Sequence, residues 1–152
     1  MNAQYTQFVR LKKAYVTFLR EIDWQYALTL NFNTHATPES ARKVFKRFCA
    51  RLDRLLFGKN WADRDPDERC LIIVRSEHED GKYHLHGIIR VPLDRQRANI
   101  DSLVDRAWQK TIRRGSAFVR KRETEQGWLE YLSKKSTPAT VSDFLNSRDF
   151  MR

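Results

Sequence analysis

Two histidines separated by one residue, His84 and His86, lie in a segment whose neighbours favour β-strand. β-branched apolar runs at 71–75 and 87–91 flank a turn-forming Glu-Asp-Gly-Lys sequence, which predicts a hairpin of two antiparallel strands. Alternate residues of a strand share a face, so both imidazoles point to the same side. With a carboxylate on the paired strand, for which Glu77 is the candidate, they can hold a divalent cation. Two histidines on a hydrated sheet face, without metal, would give the same spacing.

A second residue able to do chemistry is Tyr131, which lies one helical turn before Lys134 and Lys135. A tyrosine hydroxyl is a weak nucleophile unless its phosphoester target is polarised and held in place. A cation bound by two histidines and a glutamate can polarise a phosphate oxygen, and a nearby lysine can stabilise the transition state. Alone, however, a tyrosine on an amphipathic helix is more often an aromatic at the edge of the core.

The elements that must position these residues follow from apolar periodicity and from cap and turn signals. Thr37 is a helix N-cap, Pro38 suits the first helical position, and Gly58 can end the helix. We predict helices at 2–22, 38–57, 94–112 and 125–135, strands at 26–32 and 117–121, a two-stranded hairpin over 69–91, and one further turn in the tail after 140. The strand at 117–121 is expected at a sheet edge because of its charges.

This order contains two split βαβ units, which predicts an α+β fold of the ferredoxin-like or RRM-like kind. An antiparallel sheet would carry two crossover helices on one face. Strand alternation then places His84 and His86 on the opposite, open face, together with the Tyr131 helix. Arg75 and Glu77 on the neighbouring strand, and Thr29 and Asn31 on the first strand, are expected on the same open face.

Length and composition predict one domain over residues 1–152 with a core of its own. No apolar run is long enough to cross a membrane, and Met1-Asn-Ala-Gln lacks the layout of a signal peptide. Cys49 and Cys70 lie in apolar segments, as buried thiols of an intracellular protein would. We therefore expect a cytoplasmic protein without a membrane partner.

The net charge of +10 is concentrated in two segments, 42–54 and 110–135, each with a surplus of five positive charges. Such a surplus favours a polyanionic partner, nucleic acid before membrane. In the first segment the basic residues follow a helix, and a solvated outer face explains them better than DNA contact. In the second, Arg120, Lys121 and Arg122 could follow a DNA backbone, although a solvated edge strand explains them equally well.

Taken together, the sequence resembles the HUH endonucleases, which include rolling-circle replication initiators, relaxases and REP-associated tyrosine transposases. Three motifs carry the resemblance over nearly the whole chain. These are the strand Leu28-Thr-Leu-Asn31, the pair His84-Leu-His86, and Tyr131 followed three residues later by Lys134. The single tyrosine is similar to that of one-tyrosine replication initiators.

The resemblance implies that Tyr131 attacks a phosphate of single-stranded DNA, leaving a 5′-phosphotyrosine and a free 3′ hydroxyl. It implies that His84, His86 and an acidic residue hold Mg²⁺ or Mn²⁺ and that Lys134 positions the phosphate or stabilises charge. Expected DNA contacts are Thr29, Asn31, Arg75, Arg120, Lys121, Arg122 and Lys135.

The third cation ligand stays open between two neighbours. A one-residue bulge would exchange the faces of Glu77 and His78, which makes His78 the alternative to Glu77. Many replication initiators have a proline before the first histidine, where this chain has Tyr83.

The leading hypothesis is therefore a nickase that initiates rolling-circle replication on an origin or hairpin. A GxxxxGK loop is not found in the sequence, so a separate helicase and polymerase are expected to unwind and copy the strand. A REP-associated type of transposase with the same chemistry is the first alternative. A non-catalytic RRM-like module is the second, and it would need base-stacking aromatics on the open face.

Overall fold

The computed structural model describes residues 2–79, 81–123, 126–134 and 144–151. Its helices are α1 (Ala3–Glu21), α2 (Pro38–Phe57), α3 (Ile100–Thr111) and α4 (Gln126–Lys134), and its strands are β1 (Tyr26–Asn31), β2 (Leu71–Glu79), β3 (Lys82–Arg90), β4 (Ser116–Lys121) and β5 (Phe144–Asn146). None of the helices in these ranges combines the length and apolar character that a membrane span requires.

Side-chain caps fix where the helices begin. Thr37 and Ser40 form a reciprocal capping box at the start of α2, with Pro38 in the first turn, as the sequence predicts. The expected helix at 94–112 is too long: α3 begins only at Ile100, because the Asn99 side chain accepts from the Ser102 backbone N–H. A separate 3₁₀ turn, Leu93–Arg95, follows Pro92.

The five strands form one antiparallel sheet in the order β4-β1-β3-β2-β5. The predicted α+β class is confirmed, and the four strands β4-β1-β3-β2 are compatible with a ferredoxin-like arrangement. β4 lies at an edge, as expected. The other edge strand, β5, corrects the expectation of only a further turn in the tail, since Phe144 to Asn146 pair with β2 before a 3₁₀ turn at Ser147–Phe150.

One face of the sheet packs against α2 and α3. Leu28, Leu30, Leu85 and Ile89 from the central strands are fully buried there, against an apolar stripe from each of the two helices. Burial of this kind supplies roughly 1.5–3 kcal/mol for each large aliphatic side chain relative to leaving it exposed. The basic residues of α2 lie mostly on its outer, exposed side, as expected for a solvated face.

The other face is not open along its whole length, which corrects the expected arrangement. Its apolar half is covered by α1 and α4, whose Leu19, Leu129 and Leu132 pack with Ile73 and Ile88 of the sheet in a second core cluster. The polar half carries the two histidines. The site therefore lies beside a second core rather than on a bare sheet.

Candidate active site

The β2–β3 hairpin places Glu77 and both histidines on one face. Glu77 pairs with His84, and the pairing runs from Leu71 to Glu79 of β2 without a bulge. His78 therefore points to the opposite side, where its ring lies edge-on to Tyr83 at 4.3 Å between centroids. The bulge that would have brought His78 beside the other histidines is absent from this stretch, so Glu77 is the acidic group adjacent to them.

Strand β1 orients the two imidazoles from the side away from Glu77. Thr29 pairs with His86 and Asn31 with His84 in the sheet register. The Thr29 hydroxyl lies 3.1 Å from His86 Nδ1, and Asn31 Oδ1 accepts a hydrogen bond from His84 Nδ1. Because Nδ1 of His84 is the donor to Asn31, Nε2 of this imidazole keeps its lone pair. Thr29 and Asn31, expected as DNA contacts, are thus placed to set the ring orientations.

Asn31 is itself anchored by β4 and α3. Its side-chain amide donates to Ser116 Oγ at 3.3 Å, and its backbone carbonyl accepts from Trp108 Nε1 at 3.0 Å. A Cβ at Gly115 would come within 2.5 Å of that indole nitrogen and 2.8 Å of the same carbonyl. The close approach explains a glycine at this position, and it holds the end of β1 against the buried Trp108.

The carboxylate of Glu77 connects the histidines to the tyrosine. Glu77 is only 8% exposed. Its Oε2 lies 3.1 Å from His86 Nε2 and accepts a hydrogen bond of 3.3 Å from the Tyr131 hydroxyl. The rings of His86 and Tyr131 meet edge to face, with centroids 5.6 Å apart. A histidine and a tyrosine from distant parts of the chain therefore share one carboxylate oxygen.

Helix α4 presents Tyr131 because Leu129 and Leu132 bury its other side in the second core cluster. Trp128 of the same helix is half-buried: it packs against that cluster and also lies over the site face. Its ring stacks on Tyr131 at 5.4 Å and 16°, and its Nε1 donates to the Gly87 carbonyl at 2.8 Å. Hydrogen bonding of the indole nitrogen to β3 explains why Trp128 turns toward the sheet.

The structure gives less information about the two lysines that were expected to bind phosphate. Lys134 is the last residue of α4, one turn after Tyr131. Lys135 lies outside the described residues, so its expected contact with DNA stays a prediction.

The structure places three of the expected DNA contacts away from the exposed surface beside the site. Arg75 lies on the site face but is only 2% exposed, so its side chain cannot reach a surface ligand from this position. Arg122 donates to the Trp24 carbonyl and stacks over the Trp24 ring. Lys121 alternates with Arg120 and faces α3 with Tyr26 and Val119. Among Arg120, Lys121 and Arg122, Arg120 is therefore the cation beside the site.

Phe118 was not expected at the site. It pairs with Thr29 in the β1–β4 ladder and is 64% exposed. The alternation of β4 carried the signal, because a sheet-edge strand with Ala117 and Val119 toward the helices must turn Phe118 and Arg120 to the other face.

Two neutral Nε2 atoms and a carboxylate suit a divalent cation in donor type. Within the ranges that the structure describes, however, no three His, Cys, Asp or Glu side chains are already arranged around a common cation position. Glu77 Oε2 and His86 Nε2 already face each other at 3.1 Å. The residues therefore fit a cation in donor type.

Comparison with protein-family models, curated proteins and solved structures found no match to the chain. Its function is therefore inferred from the residues that converge at this site.

Proposed function

We propose that the protein is a cation-dependent endonuclease and strand transferase of the HUH type, which nicks single-stranded DNA through a 5′-phosphotyrosine and initiates rolling-circle replication. The observation that carries the proposal is the shared Oε2 of Glu77, which accepts from Tyr131 and contacts His86. A buried carboxylate between an imidazole and a partly exposed phenol supports nucleophilic chemistry at the phenol.

In this proposal the Tyr131 oxygen attacks the phosphorus of a phosphodiester. A bond forms between the tyrosine oxygen and phosphorus, and the bond from phosphorus to the 3′ oxygen breaks. The phenolic proton passes to Glu77, 3.3 Å away, and the departing 3′ oxygen takes a proton from water. The reverse steps let a 3′ hydroxyl rejoin the strand held on Tyr131.

His84 and His86, through Nε2, and Glu77 would hold Mg²⁺ or Mn²⁺. When bound, the cation would polarise a non-bridging phosphate oxygen and so assist attack. A carboxylate has two oxygens, so Glu77 can accept the Tyr131 proton on one and face the cation with the other. Thr29 and Asn31 would keep both Nε2 atoms turned toward it.

The partner in this proposal is a single strand presented at an origin or hairpin, with a separate helicase and polymerase to unwind and copy it. The net charge of +10 supports a polyanion, and Arg120 is an exposed cation on the site face. Lys134 and Lys135 would add charge near the attacked phosphate.

The decisive test is a covalent adduct on a single strand with a 3′-bridging phosphorothiolate, whose sulfur is a good leaving group. Different fluorophores at the two ends report the polarity of cleavage. We expect the 3′-end label to travel with the protein on a denaturing gel in Mn²⁺, and the 5′-end label to leave on the released fragment. Pooled sequences, with hairpins included, allow for an unknown origin.

Tyr131→Phe and the double variant His84→Ala/His86→Ala should form no adduct. Tyr26→Phe, which removes a hydroxyl on the other face of β1, is the matched control and should react like the unmodified protein. An adduct that persists in Tyr131→Phe would contradict the mechanism.

A non-catalytic single-strand-binding module is the second candidate, because Phe118 is an exposed aromatic on the sheet, as base-stacking proteins have. Binding of single strands without an adduct from any pool, together with no binding of Mn²⁺ by His84 and His86, would favour this candidate.

A further inference from the structure

A pocket of about 380 Å³ opens on the site face next to the residues that hold His86. It is lined by Ala27 and Thr29 of β1, by Phe118, Val119 and Arg120 of β4, and by Trp128 of α4. Its volume falls at the lower end of the range of roughly 300–1,000 Å³ for sites that take small organic groups. The small side chain of Ala27, opposite Arg120 in the ladder, creates the depression.

The lining contains two aromatic rings and one cation and no carboxylate. Phe118 is 64% exposed, which leaves most of a large apolar ring in water at no evident benefit to folding. The other exposed large apolar residues in the described ranges lie on α1 or in the turn after Pro92, not on the sheet. An exposed ring beside an arginine is the composition that stacks nucleobases, because every base has a π face and each nucleotide carries a negative phosphate.

The pocket is joined to the candidate nucleophile by direct contacts. Trp128 stacks on the ring of Tyr131 with centroids 5.4 Å apart, and Thr29 contacts His86 Nδ1 at 3.1 Å. A base held between Phe118 and Trp128 would therefore lie within one nucleotide of a phosphate at Tyr131.

We propose that the Phe118–Trp128 pocket binds one unpaired nucleobase next to the phosphate that Tyr131 attacks, with Arg120 on the adjoining phosphate. A base within a duplex is stacked on both sides and paired, so it cannot enter a walled pocket without being extruded. The pocket thus selects single-stranded over paired DNA at the cleavage position. The attack by Tyr131 rests on the proposed function, whereas the binding of the base does not depend on it.

The experiment separates the contribution of the bases to binding from that of the phosphates. Fluorescein-labelled oligothymidine and an all-abasic strand of the same length carry the same phosphates, and only the first carries bases. Their binding is measured by fluorescence anisotropy in EDTA, so that no cleavage occurs. Phe118→Ala is compared with Phe118→Tyr, which keeps the ring, and with Phe18→Ala, which removes an exposed phenylalanine on α1.

We expect Phe118→Ala to bind oligothymidine about tenfold more weakly, in keeping with the loss of one stacked base, while its binding of the abasic strand is unchanged. Phe118→Tyr should restore the preference for bases, and Phe18→Ala should not alter it. A misfolded variant would lose both ligands equally, so the ratio of the two affinities reports the pocket alone.

An unchanged ratio in Phe118→Ala would overturn the proposal, and so would an equal loss of affinity for an oligothymidine–oligoadenine duplex. If the ratio changes but the unmodified protein forms no Tyr131 adduct, the base pocket stands and the proposed endonuclease fails. If an adduct forms and the ratio does not change, the proposed endonuclease stands and the base pocket fails.

Discussion

Two buried acid–base pairs lie among the described residues, one on each side of the sheet, and they differ in what surrounds them. Under α2, Asp53 Oδ2 lies 2.9 Å from Arg69 Nε, and the Trp61 ring covers the guanidinium. On the site face, Glu77 Oε2 lies 3.1 Å from His86 Nε2. By distance and burial alone the two pairs could not be told apart.

The two pairs differ in their basic partner and in the residues that surround them. Arginine stays charged at any physiological pH, whereas histidine can exchange a proton near neutrality. Two thiols lie close to the first pair, but burial and then the Asp53 carboxylate raise the pKa of Cys49 and of Cys70, so both remain protonated and unreactive. The second pair shares its carboxylate with a partly exposed tyrosine hydroxyl. A buried ion pair therefore indicates function only when a partner can titrate and a nucleophile is within reach.

The largest effect on folding should come from breaking the pair under α2. Arg69→Met leaves a carboxylate buried without its cation, and we expect a loss of about 3–5 kcal/mol in the free energy of unfolding. The double variant Asp53→Leu/Arg69→Met should recover most of it, since apolar side chains then replace both charges. Urea unfolding measures each value.

On the site face, His86→Ala should lower the free energy of unfolding by only about 1–3 kcal/mol, because Glu77 keeps its hydrogen bond from Tyr131. A loss as large as that of Arg69→Met would show that the second pair is equally structural.

The pair under α2 should also give stability a distinct pH dependence. Burial raises the pKa of Asp53 above its ordinary value near 4 and outweighs the Arg69 contacts that lower it. The folded state therefore holds this proton more tightly than the unfolded chain, and the resulting stability is lost as pH rises from about 4 through the raised pKa. Asparagine does not titrate, so the stability of the unmodified protein relative to Asp53→Asn should fall over this interval. A difference that stays flat or grows with pH would contradict the assignment.

The orientation of the site histidines should affect chemistry more than stability. Thr29→Val keeps the shape of the side chain and removes the hydroxyl at His86 Nδ1. We expect adduct formation to slow by roughly 10–100-fold, with a change of about 1 kcal/mol or less in the free energy of unfolding. Thr29→Ser should retain the rate.

Thr111→Val is the matched control for this effect, because it removes a hydroxyl on the other side of the sheet, which donates to the Ala107 carbonyl and accepts from Arg51. Equal slowing in Thr111→Val and Thr29→Val would point to a general loss of structure instead of a positioning role for Thr29.

Strand alternation was the strongest sequence signal, since a period of two residues placed Thr29, Asn31, His84 and Glu77 on one face. It could not show what covers that face. Arg75 has the correct parity, yet the α1–α4 cluster beside it leaves its side chain buried. That packing joins segments more than a hundred residues apart, and no local pattern encodes it.

Local sequence patterns also gave wrong boundaries or missed an element in two places. The helix periodicity of 94–112 concealed the Asn99 cap, and the short β5 has too few residues for its alternation to be recognised. The roles of Thr29 and Asn31 depend on the pairing of β1 with β3, whose paired residues are 57 and 53 positions apart. Sequence alternation does not specify which strands pair over such a separation.

The smallest expected effect concerns the salt dependence of DNA binding. It compares two neighbouring residues of equal charge that lie on opposite sides of the sheet. Arg120 lies on the site face opposite Ala27, and Lys121 faces α3. If a single strand crosses the site face, Arg120→Ala should reduce the slope of log affinity against log salt concentration by about 0.7, the value for one phosphate contact on a single strand. Lys121→Ala removes the same charge from the other side and should leave the slope unchanged. Equal changes would mean that overall charge, and not the path of the strand across Glu77 and the histidines, governs DNA binding.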